Sequence, residues 1–153
     1  MKIKDQKIKD FLDELAGKSP TPGGGAVAAF VGAMAVGLVE MVCALTKGGG
    51  VQEIADRAKE IRGQLLELSD EDCAAFNAVI KTRTKKALME AIRVPKETRR
   101  LALEVEKLAK LAAKVGNKNA FSDAKSAQYL AEAAAKAAQE NIGINEKALA
   151  AGL

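Results

Sequence analysis

Histidine is absent from this 153-residue chain, which removes the usual general base near neutral pH and the commonest metal ligand. Acid–base chemistry therefore falls to Asp, Glu, Lys, Tyr or Cys, and no metal centre is expected. Tryptophan is absent too, and aromatic residues make up 3% of a chain that is 48% hydrophobic. The core must be assembled from Ala, Leu, Val and Ile, which favours closely spaced helices over a sheet rich in aromatic and β-branched side chains. Cysteine occurs twice, at Cys43 and Cys73, in no metal or redox spacing. Both read as buried thiols in a reducing compartment. No secretory leader is visible before the first amphipathic pattern, so a cytoplasmic protein is expected. One long apolar run, residues 26–45, invites reading as a membrane span, but Glu40 interrupts it and Gly and Ala stand where Leu would be expected. It reads as a core helix, and no membrane association is expected.

What is present is helical periodicity over nearly the whole length, within the size range of one domain. Ile8, Phe11, Leu12 and Leu15 mark a first helix that stops near Gly17. From about Gly25 to Thr46 a second helix carries Gly25, Ala29, Ala33 and Gly37 at intervals of four, with Ala28 and Gly32 on the next ridge. Such rows let another backbone approach closely, which places this helix at the centre of the bundle or of a dimer. After Gly48-Gly49-Gly50, one stripe runs through Ile54, Ala58, Ile61, Leu65, Leu68, Asp72, Ala75 and Val79. Pro95 is expected to kink or restart the helix that follows, and Leu101, Val105, Leu108, Ala112 and Val115 form the next stripe. Beyond Gly116 a last, Ala-rich helix aligns Asp123, Ala127, Leu130, Ala134, Ala137, Asn141 and Ile144. No strand-like alternation is found, and the expected fold is an all-α bundle of about five helices.

Three features bear on chemistry. The loop Ser19-Pro20-Thr21-Pro22-Gly23-Gly24-Gly25 stiffens its approach with prolines and delivers backbone N–H groups at a helix N-terminus. It suits an anion or the carbonyl edge of a ring, helped by the Ser19 and Thr21 hydroxyls, and it also reads as a plain interhelical turn. Asp72 stands on the side that its apolar stripe buries, for a proton-handling role, as half of a buried ion pair, or because the stripe simply reaches the surface there, whereas Asp70 and Glu71 read as solvated charges. Asp123 is a further proton-handling candidate or a favourable charge in the first turn of the last helix, beside the capping candidates Asn119 and Ser122. Asn141 and Asn145 read as polar bundle contacts or as ligand donors. Between Lys81 and Lys118 stand twelve Lys or Arg against four Asp or Glu. Without interleaved aromatics or a recognisable binding motif this region suits a polyanionic small molecule better than nucleic acid.

Several blocks in order along the chain resemble the cyclodeaminase domain of formiminotransferase-cyclodeaminase and its stand-alone relatives, including methenyltetrahydrofolate cyclohydrolase. They are Ser19 to Gly25 with the helix that follows, Met41 to Thr46, Glu71 to Asn77, Val94 to Glu97, Gly116 to Ala124 and Asn141 to Asn145. The resemblance implies a helical homodimer and a folate site near the glycine loop. It implies a reaction at the carbon bridging N5 and N10 of tetrahydrofolate, either ammonia loss from the 5-formimino form or hydrolysis of the 5,10-methenyl form. The tetrahydrofolate derivative would be the substrate, with no separate cofactor. On this reading Asp123, Asp72 and, more weakly, Lys47 handle protons. Ser19, Thr21, Gly23, Gly24, Gly25, Asn117, Asn119 and Ser122 form the binding shell, and the basic face receives the glutamyl carboxylates, including those of a polyglutamylated folate.

Overall fold

Each connection between the helices carries a glycine, a proline or a capping hydroxyl. The structure is a computed structural model that describes residues 1–152. Five helices follow one another: α1 (Ile8–Leu15), α2 (Gly24–Ala44), α3 (Gln52–Thr82), α4 (Lys85–Val115) and α5 (Phe121–Ala150), with short 3-10 turns at Ile3–Asp5 and Lys118–Ala120. No strand occurs among the described residues. Helices α2 to α5 run alternately up and down the bundle, and α2 packs against α3, α4 and α5. This is the only described helix long and apolar enough to cross a bilayer, and more than half of it is buried inside the bundle. Its small-residue ridges explain the packing: a Cβ on Gly32 would come within 3.2 Å of Leu65 and 3.8 Å of Ala134. The facing side of α5 is a seam of alanines, Ala124, Ala127, Ala131, Ala134 and Ala138, all fully or almost fully buried.

Two helix boundaries differ from the periodic reading. Pro95 does not end a helix: α4 runs unbroken through it for 31 residues. The break falls earlier, where Arg83 takes a left-handed conformation (φ 49°) and the Thr84 hydroxyl accepts the Ala87 N–H, capping α4. The buried face of α5 is also rotated by about one residue from the predicted stripe. Ala124, Ala131, Ala138 and Ile142 are buried, whereas Ile144 is 66% exposed. Asp123 and Asn141 therefore lie at the rim of the buried face, half-covered. Asp70 is not a simple solvated charge, since its Oδ1 accepts the Ile3 N–H at 2.6 Å and anchors the N-terminal turn. Glu71 is exposed and pairs with Arg93 at 2.6 Å. Of the two thiols Cys43 is buried and Cys73 is only half-buried.

At the lower end of the bundle the connection between α4 and α5 is clipped to the end of α2. Asn117 donates its side-chain amide to the Leu45 carbonyl at 2.8 Å and its backbone N–H to Thr46 Oγ1 at 2.9 Å. Its Oδ1 accepts the Asn119 N–H at 3.0 Å. Only glycine fits just before it, because a Cβ on Gly116 would lie 2.5 Å from the Ala112 carbonyl oxygen and 2.8 Å from a Val42 methyl. Replacing Asn117 by Ala removes two side-chain bonds and should cost about 1–2 kcal/mol in urea unfolding, with the slope unchanged.

Candidate active site

A cavity of about 390 Å³ opens at the upper end of the bundle, where the glycine loop meets α3, α4 and α5. That volume lies within the range of small-molecule sites. Its walls are largely apolar, with Phe76 and Val79 from α3, Leu88 from α4 and Ile144 from α5. Its polar groups are Asp72, Thr21, Asn141, Asn145 and the backbone of Gly23 to Gly25.

Asp72 is held against the first turn of α2, and Gly25 makes room for it. A Cβ on Gly25 would lie 2.2 Å from Asp72 Oδ1 and 2.6 Å from its Cγ. No side chain fits there while the carboxylate stays. Burial pushes the Asp72 carboxyl above the usual aspartate range, and the Ala26 N–H at the helix start pulls it partly back. A carboxylate in this setting is a good proton acceptor and, once protonated, a ready donor. The neighbouring Cys73 thiol is pushed up to about 11, first by burial and then by the charges of Asp72, Asp70 and Glu14. It stays neutral near pH 7 and is a poor nucleophile.

The two asparagines of α5 stand one turn apart and are set by backbone carbonyls. Asn141 donates its amide to the Ala137 carbonyl at 2.9 Å, and Asn145 donates to the Ala91 carbonyl at 2.6 Å. Because each partner is an acceptor, the amide nitrogen must face it, which leaves the Oδ1 of each residue as an acceptor for the cavity. The Ala91 carbonyl is available because Pro95, four residues on, has no N–H to give it. Pro95→Ala should supply that competing N–H, loosen Asn145, and raise KM about fivefold without lowering the melting temperature, as measured by steady-state kinetics and thermal unfolding.

The predicted site residues divide into two groups. Thr21, Gly23, Gly24, Gly25 and Asp72 line the cavity, and Ser19 braces the loop by accepting the Thr21 N–H at 3.4 Å. Lys47, Asn117, Asn119, Ser122 and Asp123 belong to the opposite end, beyond the 21-residue length of α2, about 30 Å away at helical rise. Asn117 is occupied by the clip described above. Asn141 and Asn145, read from sequence as bundle contacts or ligand donors, both line the cavity, and Phe76 joins them without having been singled out by pattern. What the sequence did not show is the partner that orients Asn145, the Ala91 carbonyl freed by Pro95, which is visible only once α4 and α5 are paired. Exposed Lys81, Arg83, Lys85 and Lys86 surround the turn between α3 and α4 at the cavity end.

Comparisons with known proteins agree over this whole architecture. The chain is 34% identical to a methenyltetrahydrofolate cyclohydrolase of Methylorubrum extorquens, across 95% of this chain and 81% of that protein. It is 31% identical over 102 residues to the formimidoyltransferase-cyclodeaminase of Mus musculus, covering 61% of this chain but 17% of that longer protein. Among solved structures, a formiminotetrahydrofolate cyclodeaminase of Thermotoga maritima superposes with a TM-score of 0.84 at 34% identity, over 95% of this chain and 80% of that one. The formiminotransferase-cyclodeaminase family profile matches residues 7–151, and the chain belongs to that family.

Proposed function

We propose that this protein is a folate enzyme acting at the carbon that bridges N5 and N10 of tetrahydrofolate, with Asp72 as its proton-transfer group. Two reactions make the same demand on the site. In hydrolysis of the 5,10-methenyl form, water adds to the amidinium carbon and gives its proton to Asp72. The carbon–N5 bond then breaks as Asp72 returns that proton to N5, the hydroxyl proton leaves to solvent, and 10-formyltetrahydrofolate results. In ammonia loss from the protonated 5-formimino form, N10 attacks the formimino carbon and gives its proton to Asp72. Asp72 passes the proton to the departing amine, and the methenyl cation results. Neither reaction needs a metal or a redox cofactor.

The observation that carries this reading is a half-buried carboxylate with a raised proton affinity, in an apolar cavity whose other side-chain polar groups include two oriented amide oxygens. Acceptors and negative charge favour a cationic amidinium over a neutral product. The amide oxygens of Asn141 and Asn145 suit the N–H edge of a pterin, and Phe76 offers a wall for its ring. Lys81, Arg83, Lys85 and Lys86 suit the glutamyl tail, whether single or polyglutamylated. The reading includes a homodimer in a reducing cytoplasm, where both cysteines remain thiols.

The test is the absorbance of 5,10-methenyltetrahydrofolate with purified protein. Its decay above the buffer rate identifies a cyclohydrolase, and its appearance from 5-formiminotetrahydrofolate identifies a cyclodeaminase. Neither change would leave a folded but non-catalytic relative and overturn the proposal.

A further inference from the structure

We infer that Asn141 and Asn145 read the oxidation state of the pterin ring, Asn141 accepting from the N8–H that only a reduced ring carries and Asn145 accepting from the 2-amino group. The inference rests on the folate reading above for the ligand and on separate observations for the geometry. Each amide nitrogen is committed to a backbone carbonyl, that of Asn141 to Ala137 at 2.9 Å and that of Asn145 to Ala91 at 2.6 Å. Neither side chain can turn its nitrogen inward without giving up that bond, so the pair offers the cavity oxygens alone. Both residues line the cavity. They stand one turn apart on one face of α5, where side-chain origins are about 5–6 Å from each other.

Asn141 is the member nearer the reacting end. A Cβ on Gly24 would lie 3.4 Å from its Nδ2 and 3.9 Å from its Oδ1, and the next residue, Gly25, is the one that faces Asp72. Asn145 lies a turn further along α5, against α4.

A reduced pterin carries donors to match. Its 2-amino group and its N8–H lie on the same long edge, on either side of N1, at a separation that two residues one turn apart can span. The opposite long edge carries the 4-oxo group and N5. In the hydrolysis proposed above Asp72 returns a proton to N5, so that edge faces Asp72 and the donor edge faces α5. The end of the ring that holds both N5 and N8 then lies towards Asp72, which gives N8–H to Asn141 and the 2-amino group to Asn145.

Oxidation of the ring takes the hydrogen from N8 and leaves a lone pair. Acceptor then meets acceptor in a largely apolar cavity, and neither finds a partner. Sites built around a substrate N–H reject analogues that lack it far more strongly than an apolar pocket rejects a change of size. The 7,8-dihydro ring is the informative intermediate, because it keeps N8–H while N5 carries no hydrogen.

Calorimetric titration with three monoglutamates, tetrahydrofolate, 7,8-dihydrofolate and folic acid, tests this, since they differ only in the ring. The two reduced forms should bind within about tenfold of each other and folic acid at least about 100-fold more weakly. Asn141→Leu keeps the size of the side chain and removes the acceptor. It should weaken both reduced forms and bring all three ligands within about tenfold. Asn145→Leu should weaken all three by a similar factor and leave the wild-type ratio, because the 2-amino group survives oxidation. A packing defect would lower the three affinities together, so collapse of the ratio in Asn141→Leu reports the N8 contact itself.

Wild-type protein that binds folic acid as tightly as tetrahydrofolate, dihydrofolate that binds as weakly as folic acid, or an unchanged ratio in Asn141→Leu would each overturn the inference even if folate turnover is confirmed. Helical protein that binds none of the three would overturn the folate reading and this inference with it. Discrimination by a protein without turnover would leave the two asparagines in these roles while the catalytic reading fails.

Discussion

Asp72→Asn should lower turnover roughly 10²- to 10⁴-fold, the range for loss of a positioned proton-transfer group, while leaving the fold intact and the protein no less stable at pH 7. The two halves of this expectation come from one cause. Burial raises the Asp72 pKa, so the folded chain binds a proton more tightly than the unfolded chain. Stability therefore falls as pH rises from the ordinary aspartate value through the folded value, and above it the buried charge is a standing cost. Asparagine has nearly the same shape and no charge, which removes the cost together with the chemistry. The melting temperature of the variant should match or exceed that of the wild type at pH 7, and the difference should vanish as pH drops below the ordinary carboxylate range. Wild-type turnover should fall on the acid side at a pH above that of an ordinary aspartate, because the base is lost once protonated. Wild-type turnover by Asp72→Asn would remove this carboxylate from the mechanism.

Gly25→Ala should be as damaging to activity, for a steric reason. The added methyl carbon would fall 2.2 Å from Asp72 Oδ1, so either the carboxylate leaves the first turn of α2 or the loop shifts. A misplaced proton-transfer group costs on the order of 100-fold. The overpacking should also destabilise by about 1–3 kcal/mol. Combining it with Asp72→Ala separates the two effects. The double variant has no carboxylate to collide with, so its melting temperature should recover towards that of Asp72→Ala while activity stays absent, a strongly non-additive pair. Additive losses in stability would mean that Gly25 is constrained by something other than Asp72.

Much of the fold was legible because α3 and α4 alternate apolar and charged residues at a helical period, and because glycine or capping hydroxyls punctuate every connection. Asp72 was legible for the same reason, as a carboxylate on an otherwise apolar stripe. Pro95 misled because local chemistry predicts a lost hydrogen bond, while the neighbouring helix supplies a side-chain amide to the freed carbonyl. The rotation of α5 was hidden by its composition: alanines surround that helix on nearly every side, so periodicity cannot say which are buried. Asn145 was undervalued since its partner is a backbone atom 54 residues away in α4. Lys47, Asn119 and Asp123 were grouped with the glycine loop by motif, and one chain folds so that they stand at opposite ends of α2. No local pattern carries that information, because it depends on which way helices run.

The alanine seam between α2 and α5 has a mechanical consequence. Alanine has no rotamers to surrender on folding, and equally none with which to absorb a disturbance. Larger side chains at an interface yield by swinging aside; a contact between methyl groups and backbone yields only if a whole helix slides. Asn141 and Asn145 ride on the same rigid rod as Ala131, so an extra methylene at that distant position should reach the cavity as a displacement of both amides, making the seam a ruler that sets the dimensions of a site it never touches.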